Sequence, residues 1–166
     1  MSSVQSMLAI AGMVILALIS LRFNSTVLST SNSQTENKVY LTAFSIADNL
    51  IEEIKGKSFD QTTIQFPTTN PLTLTPPSQL GPDFSGTDSA EVYPNYNDVD
   101  DYNGYKDTLT APYFETYFRS CIVQYVNGSN PDDSSGTQTF YKRVIVTVSS
   151  PFLDHSISIS SIFTLK

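Results

Sequence analysis

The sequence predicts an α+β protein in which a long N-terminal helix, its apolar half protruding, packs on a small antiparallel β-sheet head. Three observations predict this class. Residues 4–23 are almost purely apolar, and apolar residues then recur at helical spacing over residues 39–54. Prolines and glycines punctuate residues 58–111. Three segments follow in which apolar and polar residues alternate, as they do in half-buried strands.

The apolar stretch is long enough to cross a membrane. At about 1.5 Å of rise per residue, residues 4–23 span roughly 30 Å, the thickness of a hydrocarbon core. No proline interrupts the pattern before Pro67, and Gly56 is a stop signal, so one helix is predicted. Two domains are predicted: a long helix at residues 1–57 and a globular β head with long loops at residues 58–166. Within the helix, residues 1–23 are the transmembrane or filament-core part, and residues 24–57 are an amphipathic part that packs on the head.

Other interpretations of the apolar segment compete. A cleaved secretory signal is disfavoured, because residues 1–6 carry no basic side chain and no small-x-small cleavage site follows. A buried helix of a soluble domain is disfavoured, because 166 residues cannot wrap both halves of such a helix. A plain single-pass anchor stays open. Its difficulty is orientation, since Arg22, Lys38 and Lys55 all follow the span and favour a cytoplasmic head.

A polar segment, residues 24–35, joins the two parts of the predicted helix. Its Ser, Thr and Asn side chains compete for backbone hydrogen bonds, so the segment is either a flexible joint or an ordinary exposed stretch of helix. Sequons at Asn24 and, in the head, at Asn127 are candidate glycosylation sites, although such short motifs are common by chance.

The negative charge of the chain is concentrated in the head. Residues 1–57 hold four basic and four acidic residues, so residues 58–166 carry the whole formal net charge of −7. An acidic head rich in Ser, Thr, Asn and Tyr argues against a nucleic-acid surface, which needs clustered Lys and Arg. The composition is typical of a solvated domain outside the cytoplasm.

Constellations that carry enzyme chemistry are missing from the sequence. His155 is the single histidine and Cys121 the single cysteine, which disfavours a His-based zinc site, a Cys–His couple and an intrachain disulfide. No phosphate-binding glycine loop or nucleophile elbow is present. The sequence therefore predicts a protein that is not an enzyme, with Cys121 as a buried thiol in a strand.

The C-terminal half predicts the strands of the head. Three main strands are predicted at residues 114–126, 139–149 and 155–166, and a long hairpin connection at residues 127–136. Two shorter strands are predicted at residues 63–66 and 72–75. In the second main strand one face carries Phe140, Lys142, Val144, Val146 and Val148. We expect the sheet to cover an apolar stripe of the helix formed by Ala43, Phe44, Ala47, Leu50, Ile51 and Ile54.

An acidic motif, NDVDDYNGYKD at residues 97–107, is the one candidate ligand site in the sequence. Asp98, Asp100, Asp101 and Asn103 place oxygen ligands within a short turn, and Gly104 allows the turn to be tight. Calcium prefers such a hard, oxygen-rich loop, although the spacing differs from that of an EF-hand. A solvated acidic turn is the alternative. Nearby tyrosines either line a carbohydrate or protein contact or pin the loops to the head; they are Tyr93, Tyr96, Tyr102 and Tyr105.

The layout resembles the type IV pilin and pseudopilin superfamily. Met1 stands where a processed member begins, and the run SMLAIAGMVILALISLRF is similar to the apolar half-helix of the family. The phrases AFSIADNLIEEIKGKSFD and DVDDYNGY resemble minor-pilin-like heads. Gln5 stands where the family usually has a glutamate. The resemblance implies a type IV pilin-like fold and a Met1 that is exposed by a prepilin peptidase and N-methylated.

The resemblance also implies a function in assembly. We expect a structural subunit of a type IV pilus-like filament, held in the bacterial inner membrane before assembly and extracellular afterwards. Its expected partners are copies of itself, the membrane, the prepilin peptidase and the pilus assembly machinery. The alternatives are a minor pilin or secretion-system pseudopilin, and a monomeric membrane-tethered domain that binds a surface ligand. The predicted assembly residues are Met1, Gln5, Met7, Leu8, Ile10, Val14, Ile15, Leu18 and Leu21.

Overall fold

The computed structural model describes residues 2–85, 89–111 and 115–165, and it confirms the α+β class. A single helix, α1 (Ser3–Lys55), precedes the strands and ends directly before Gly56, as predicted. By compactness the chain divides into two units, Met1–Val39 and Tyr40–Lys166. The first unit is the N-terminal part of α1. The second contains the rest of α1 and the sheet on which it packs.

The N-terminal unit is continuous helix with no interior of its own. Every described side chain over residues 2–38 is exposed. The polar segment at residues 24–35 is helical throughout, so the ordinary helical interpretation of it is correct. Its threonines bond within the helix: the hydroxyls of Thr26 and Thr30 donate to the carbonyls of Arg22 and Thr26 at 3.0 and 2.9 Å. These bonds satisfy the hydroxyls without breaking the helix.

The head contains two β-structures within the described residues. A small ribbon pairs β1 (Phe84–Ser85) with β2 (Ser89–Ala90). The main sheet is antiparallel with the order β3-β4-β6-β7, and β5 pairs with the end of β4. Its strands are β3 (Lys106–Thr110), β4 (Thr116–Asn127), β5 (Asn130–Ser134), β6 (Tyr141–Ser149) and β7 (Ile157–Thr164).

The core lies between the C-terminal part of α1 and one face of the sheet. The alternation predicted for β6 is confirmed, because Lys142, Val144, Val146 and Val148 are buried and the residues between them are not. On α1 the predicted stripe is buried at Ala43, Ala47, Leu50, Ile51 and Ile54. Phe44 is the exception. Its side chain is 52 % exposed, because it lies beside the buried stripe on the helix surface.

Several predicted strand boundaries need correction. The short strands predicted at residues 63–66 and 72–75 are wrong; 3₁₀ turns occupy Gln61–Thr63 and Pro71–Thr73. The side chains of Asp60 and Asn70 cap these turns and accept from the backbone N–H groups of Thr62 and Leu72. The predicted connection at residues 127–136 contains β5, and β3 has no counterpart in the prediction. The start of the strand predicted at residues 114–126 lies outside the described residues; β4 begins at Thr116.

Candidate functional site

The apolar surface of α1 is the first candidate site. Gln5 begins it: the Gln5 side-chain Oε1 accepts from the backbone N–H of Ser2 at 3.1 Å. The Ser2 carbonyl accepts from the backbone N–H groups of Gln5 and Ser6. Ser2 is thus the N-cap of α1, and Gln5 occupies the N3 position, from which its side chain bonds back to the N-cap backbone. Met1 lies outside the described residues. The other predicted assembly residues are all exposed: Met7, Leu8, Ile10, Val14, Ile15, Leu18 and Leu21.

This surface is larger than a water-exposed surface normally is. The N-terminal part of α1 is long and apolar enough to cross a membrane, and none of its apolar window is buried within the chain. Soluble monomers rarely expose contiguous apolar patches beyond a few hundred Å². The helix is therefore a candidate for burial in a bilayer or against another protein.

A buried lysine forms the polar centre of the head. Lys142 is fully buried, and its Nζ donates to the carbonyl of Phe59 at 2.8 Å, to Asp60 Oδ2 at 2.9 Å and to Asp100 Oδ1. The rings of Phe59 and Tyr125 lie 4.4 and 5.1 Å from Nζ. All three protons of the ammonium group are thus used. Asp100, one of the predicted calcium ligands, is committed to this lysine.

The two carboxylates beside Lys142 respond to it differently. Burial raises the pKa of Asp60, but the charge of Lys142 together with the hydrogen bonds from Lys142, Thr62 and Thr75 outweighs burial and lowers that pKa to about 2. For Asp100 burial is the stronger effect and raises its pKa to about 7 in spite of Lys142. Asp60 is therefore the main anionic partner of the lysine at neutral pH.

An oxygen cluster lies on the loops beside this lysine, and we call it the acidic cluster: Asp83, Glu91, Asn97, Asp98 and Asp101. Carboxylate oxygens of Asp83, Asp98 and Asp101 lie within 4.8 Å of one another. Asn97 joins Glu91 to the group, since its Nδ2 donates to Glu91 Oε1 at 2.9 Å. Asp83 and Glu91 are neighbours because the backbone N–H of Glu91 donates to the Asp83 carbonyl at 2.8 Å, at the base of the β1–β2 ribbon.

Backbone amides orient the two aspartates of the sequence motif. Asp98 Oδ1 accepts from the N–H of Asp100 at 2.7 Å, at the start of the 3₁₀ turn Asp100–Tyr102. Asp101 Oδ2 accepts from the N–H groups of Asn97 and Asp98 at 2.9 and 3.2 Å. The loop thereby fixes one oxygen of Asp98, and both oxygens of Asp101 are fixed, since Asp101 Oδ1 accepts from the N–H of Asp83 at 3.4 Å.

Several buried oxygens in the acidic cluster lack a partner. Glu91 Oε2, Asn97 Oδ1 and Asp98 Oδ2 are buried and accept no hydrogen bond from any described residue. Burial and the charges of Asp100 and Asp101 raise the pKa of Asp98 to about 8. Burial and the charge of Asp101 also raise the pKa values of Asp83 and Glu91. These raised pKa values mean that the three carboxyl groups hold a proton more readily than ordinary carboxyl groups do.

The structure brings together two of the four predicted calcium ligands. Asp98 and Asp101 lie in the acidic cluster. Asp100 lies on Lys142, and Asn103 ties the loop to neighbouring segments: its Nδ2 donates to the Leu80 carbonyl and its Oδ1 accepts from the N–H of Val123. Sequence reasoning missed Asp83 and Glu91, because they precede the motif and are brought to it by the β1–β2 ribbon and by the hydrogen bond from the Asp83 N–H to Asp101 Oδ1.

The tyrosines around the motif pin the loop to the head. Tyr96, Tyr102 and Tyr105 are buried, and their rings contact one another edge to face. The hydroxyls of Tyr102 and Tyr93 donate to the two carboxylate oxygens of Glu53 on α1, at 2.7 and 3.2 Å. Of the two interpretations of these tyrosines, the structural one agrees with their burial.

The remaining predicted positions are the two sequons and the cysteine. Asn24 and Asn127 are exposed. Cys121 is buried in β4, as predicted, and burial raises the pKa of its thiol to about 12, which makes the thiol a poor nucleophile. No protein-family model, curated protein or solved structure matches this chain.

Proposed function

We propose that this chain is a structural subunit of a type IV pilus-like extracellular filament and that it polymerises through the N-terminal half of α1. The observation that carries the proposal is the complete exposure of an apolar helical surface that continues past the length of a bilayer. Val27 and Leu28 are 49 % and 58 % exposed and lie beyond residues 4–23. A hydrocarbon core of about 30 Å, filled by those twenty residues, does not reach them. The helix of a neighbouring subunit does.

Copies of the same chain are the covering partner that we propose. Each subunit presents one apolar helix, and packing that helix against the next copy by a repeated rotation that does not close builds an open fibre. Gly12 leaves open space at its Cβ position, so a second helix can approach the backbone closely there. Before assembly, the bilayer holds the same helix and keeps the subunits available.

The substitution Ile15→Asp tests the proposal. Ile15 is 58 % exposed, so a charge there leaves the head intact but places a carboxylate in the apolar contact between helices. We expect fibre yield to fall below detection in sheared surface fractions viewed by electron microscopy. Ile64→Asp is the matched control, since Ile64 is also exposed but lies in the head. Normal fibre yield from the Ile15→Asp variant, with subunit present in the membrane, contradicts the proposal.

Intact-mass analysis of the same fractions separates the alternatives. An N-methylated Met1 in fibre-forming material supports a processed pilin. An unmodified or longer N-terminus, found only in membranes, supports a tethered binding domain. Gln5 favours a minor pilin or pseudopilin, because an amide does not neutralise the terminal amine of a neighbour as the usual glutamate does. The stoichiometry of subunits in purified fibres decides between a major and a minor role.

A further inference from the structure

The acidic cluster in the head points to a ligand that the filament proposal does not use. We infer that Asp83, Glu91, Asn97, Asp98 and Asp101 form a calcium site that fastens the loops between α1 and β3. The inference is independent of polymerisation, because all five residues belong to the head. Three properties of the acidic cluster carry it: the spacing of its oxygens, its unpartnered buried oxygens and the kind of ligand atoms it offers.

The spacing of the oxygens fits one calcium ion. Protein oxygens bind Ca²⁺ at about 2.3–2.6 Å, so two oxygens on the same ion lie at most roughly 5 Å apart. The carboxylate oxygens of Asp83, Asp98 and Asp101 lie within 4.8 Å of one another. These residues come from two segments of the chain, so the ion would join the base of the β1–β2 ribbon to the 3₁₀ turn Asp100–Tyr102.

The unpartnered oxygens are a separate indication of a ligand. Asp98 is fully buried, yet its Oδ2 accepts no hydrogen bond from the described residues, while its Oδ1 accepts from the N–H of Asp100. Glu91 and Asn97 show the same division: Glu91 Oε1 accepts from Asn97 Nδ2, and Glu91 Oε2 and Asn97 Oδ1 have no partner among those residues. Buried polar atoms are normally paired, so these three oxygens indicate a missing partner.

The chemistry of the ligands indicates which cation that partner is. Four carboxylates and one amide offer only hard oxygen atoms, which suit calcium or magnesium better than zinc or copper. Lys142 donates its three protons to Phe59, Asp60 and Asp100, so it does not hydrogen-bond the acidic cluster, although its charge acts on Asp83 and Asp98 from a distance. Magnesium keeps several of its own waters and uses one or two carboxylates, whereas calcium accepts six to eight oxygens in a flexible shell. Three converging carboxylates, with unpartnered oxygens of Glu91 and Asn97 in the same cluster, therefore favour calcium.

The test uses the full chain in detergent micelles, stripped of cations with EGTA and titrated with CaCl₂. We expect saturation to raise Tm by roughly 5 °C or more, because the ion binds only the folded head. MgCl₂ at the same concentration should give a clearly smaller rise. We also expect saturable Tb³⁺ luminescence sensitised by tyrosine, since the chain has nine tyrosines and no tryptophan.

Variants show whether the acidic cluster is responsible. Asp98→Asn keeps the oxygen that accepts from the Asp100 N–H but removes the charge, and we expect Ca²⁺ affinity to fall at least tenfold. Glu91 is less buried than Asp98, and Glu91→Gln keeps the hydrogen bond from Asn97. The Ca²⁺ affinity of this second variant tests the site if Asp98→Asn does not fold. Asp154→Asn is the matched control, because Asp154 is exposed and far along the chain.

Three results would overturn the inference. One is a wild-type Tm that does not respond to CaCl₂. Another is an equal response to MgCl₂. The third is unchanged Ca²⁺ affinity in folded Asp98→Asn and Glu91→Gln proteins. Because all of these measurements are made on unassembled protein, a failure to form filaments does not affect them.

Discussion

Lys142 shows how a single residue organises the interior of the head. The pattern of β6 placed its side chain on the same face as Val144, Val146 and Val148, where a cation has no water. Burying an ammonium group is tolerated only when it is paired and fully hydrogen-bonded. Asp60 and Asp100 supply the charges and the Phe59 carbonyl supplies the third acceptor. The alternation of apolar residues in β6 predicts that the Lys142 side chain points into the core. Its hydrogen-bond partners lie in loops, and no sequence pattern links them to Lys142.

Replacing Lys142 with methionine should destabilise the head strongly. The change keeps the length of the side chain but leaves Asp60 and Asp100 buried without their cation, a loss of about 3–5 kcal/mol in typical cases. Arg143→Met is the matched control on the opposite face of β6. Arg143 pairs with Asp132, whose side chain is 96 % exposed, so the loss there should stay below about 1 kcal/mol. Thermal unfolding in micelles measures both, and similar losses would contradict this account of Lys142.

At the scale of elements, the elements with regular hydrophobic periodicity were predicted correctly. The turns that depend on individual side-chain hydrogen bonds were not. Helix α1 and the burial pattern of β6 follow from spacings of 3.6 and 2 residues. The 3₁₀ turns at Gln61–Thr63 and Pro71–Thr73 are set by capping side chains, which a strand pattern does not register. Strand β5, with the sequence NPDDS, is exposed at every position and carries a proline that an edge strand tolerates.

The same limit explains the acidic cluster. Asp98 and Asp101 are close in sequence, so the motif suggested them together. Asp83 and Glu91 join them through the β1–β2 ribbon, a pairing of two-residue strands that has no periodicity to detect. Asp100 sits between the two aspartates in sequence but turns to Lys142. Carboxylates that are adjacent in sequence thus contact different partners, and the backbone conformation of the loop determines which partner each one contacts.

Gly128, in the turn between β4 and β5, provides a prediction about an element. A Cβ at this position would clash with the ring of Tyr141 on β6. Gly128→Ala should therefore displace that ring, and because the Tyr141 side chain is 37 % exposed and can move into solvent, the cost should be about 0.5 kcal/mol. Gly136→Ala is the matched control, since its Cβ would meet nothing within 4 Å. A chemical or thermal unfolding series distinguishes the two, and equal stability of both variants would contradict the role of the ring contact.

The whole molecule combines one unit that has a core with one that has none. Residues Tyr40–Lys166 bury the apolar face of their helix and sheet, while the described side chains of residues 2–38 are exposed throughout. Because nearly all of the core residues lie in the second unit, we expect the head to fold whether or not the N-terminal unit is covered. The exposed apolar side chains of that unit therefore contribute nothing to the core of the head.

Val27 and Leu28 separate a filament subunit from a plain membrane anchor. The double change Val27→Ser with Leu28→Ser alters apolar side chains beyond the twenty-residue span, so membrane insertion should be retained. If the residues contact a neighbouring helix, fibre yield should fall roughly tenfold, corresponding to about 1.4 kcal/mol of subunit contact. Val92→Ser with Leu72→Ser is the matched control, because both residues are equally apolar and exposed in the head. Unchanged fibre yield from the Val27/Leu28 variant would contradict helix packing at this depth.

Cys121 gives the head a reporter of its own opening. The thiol lies buried in β4, the central strand that pairs with β3, β5 and β6, and it is the single cysteine of the chain. A reagent reaches it only after the sheet separates from its neighbours, so the rate of alkylation measures how often the head opens. The unaltered protein therefore carries its own probe, with which the motion of the head in a free subunit, in a calcium-treated subunit and in a fibre can be compared on one scale.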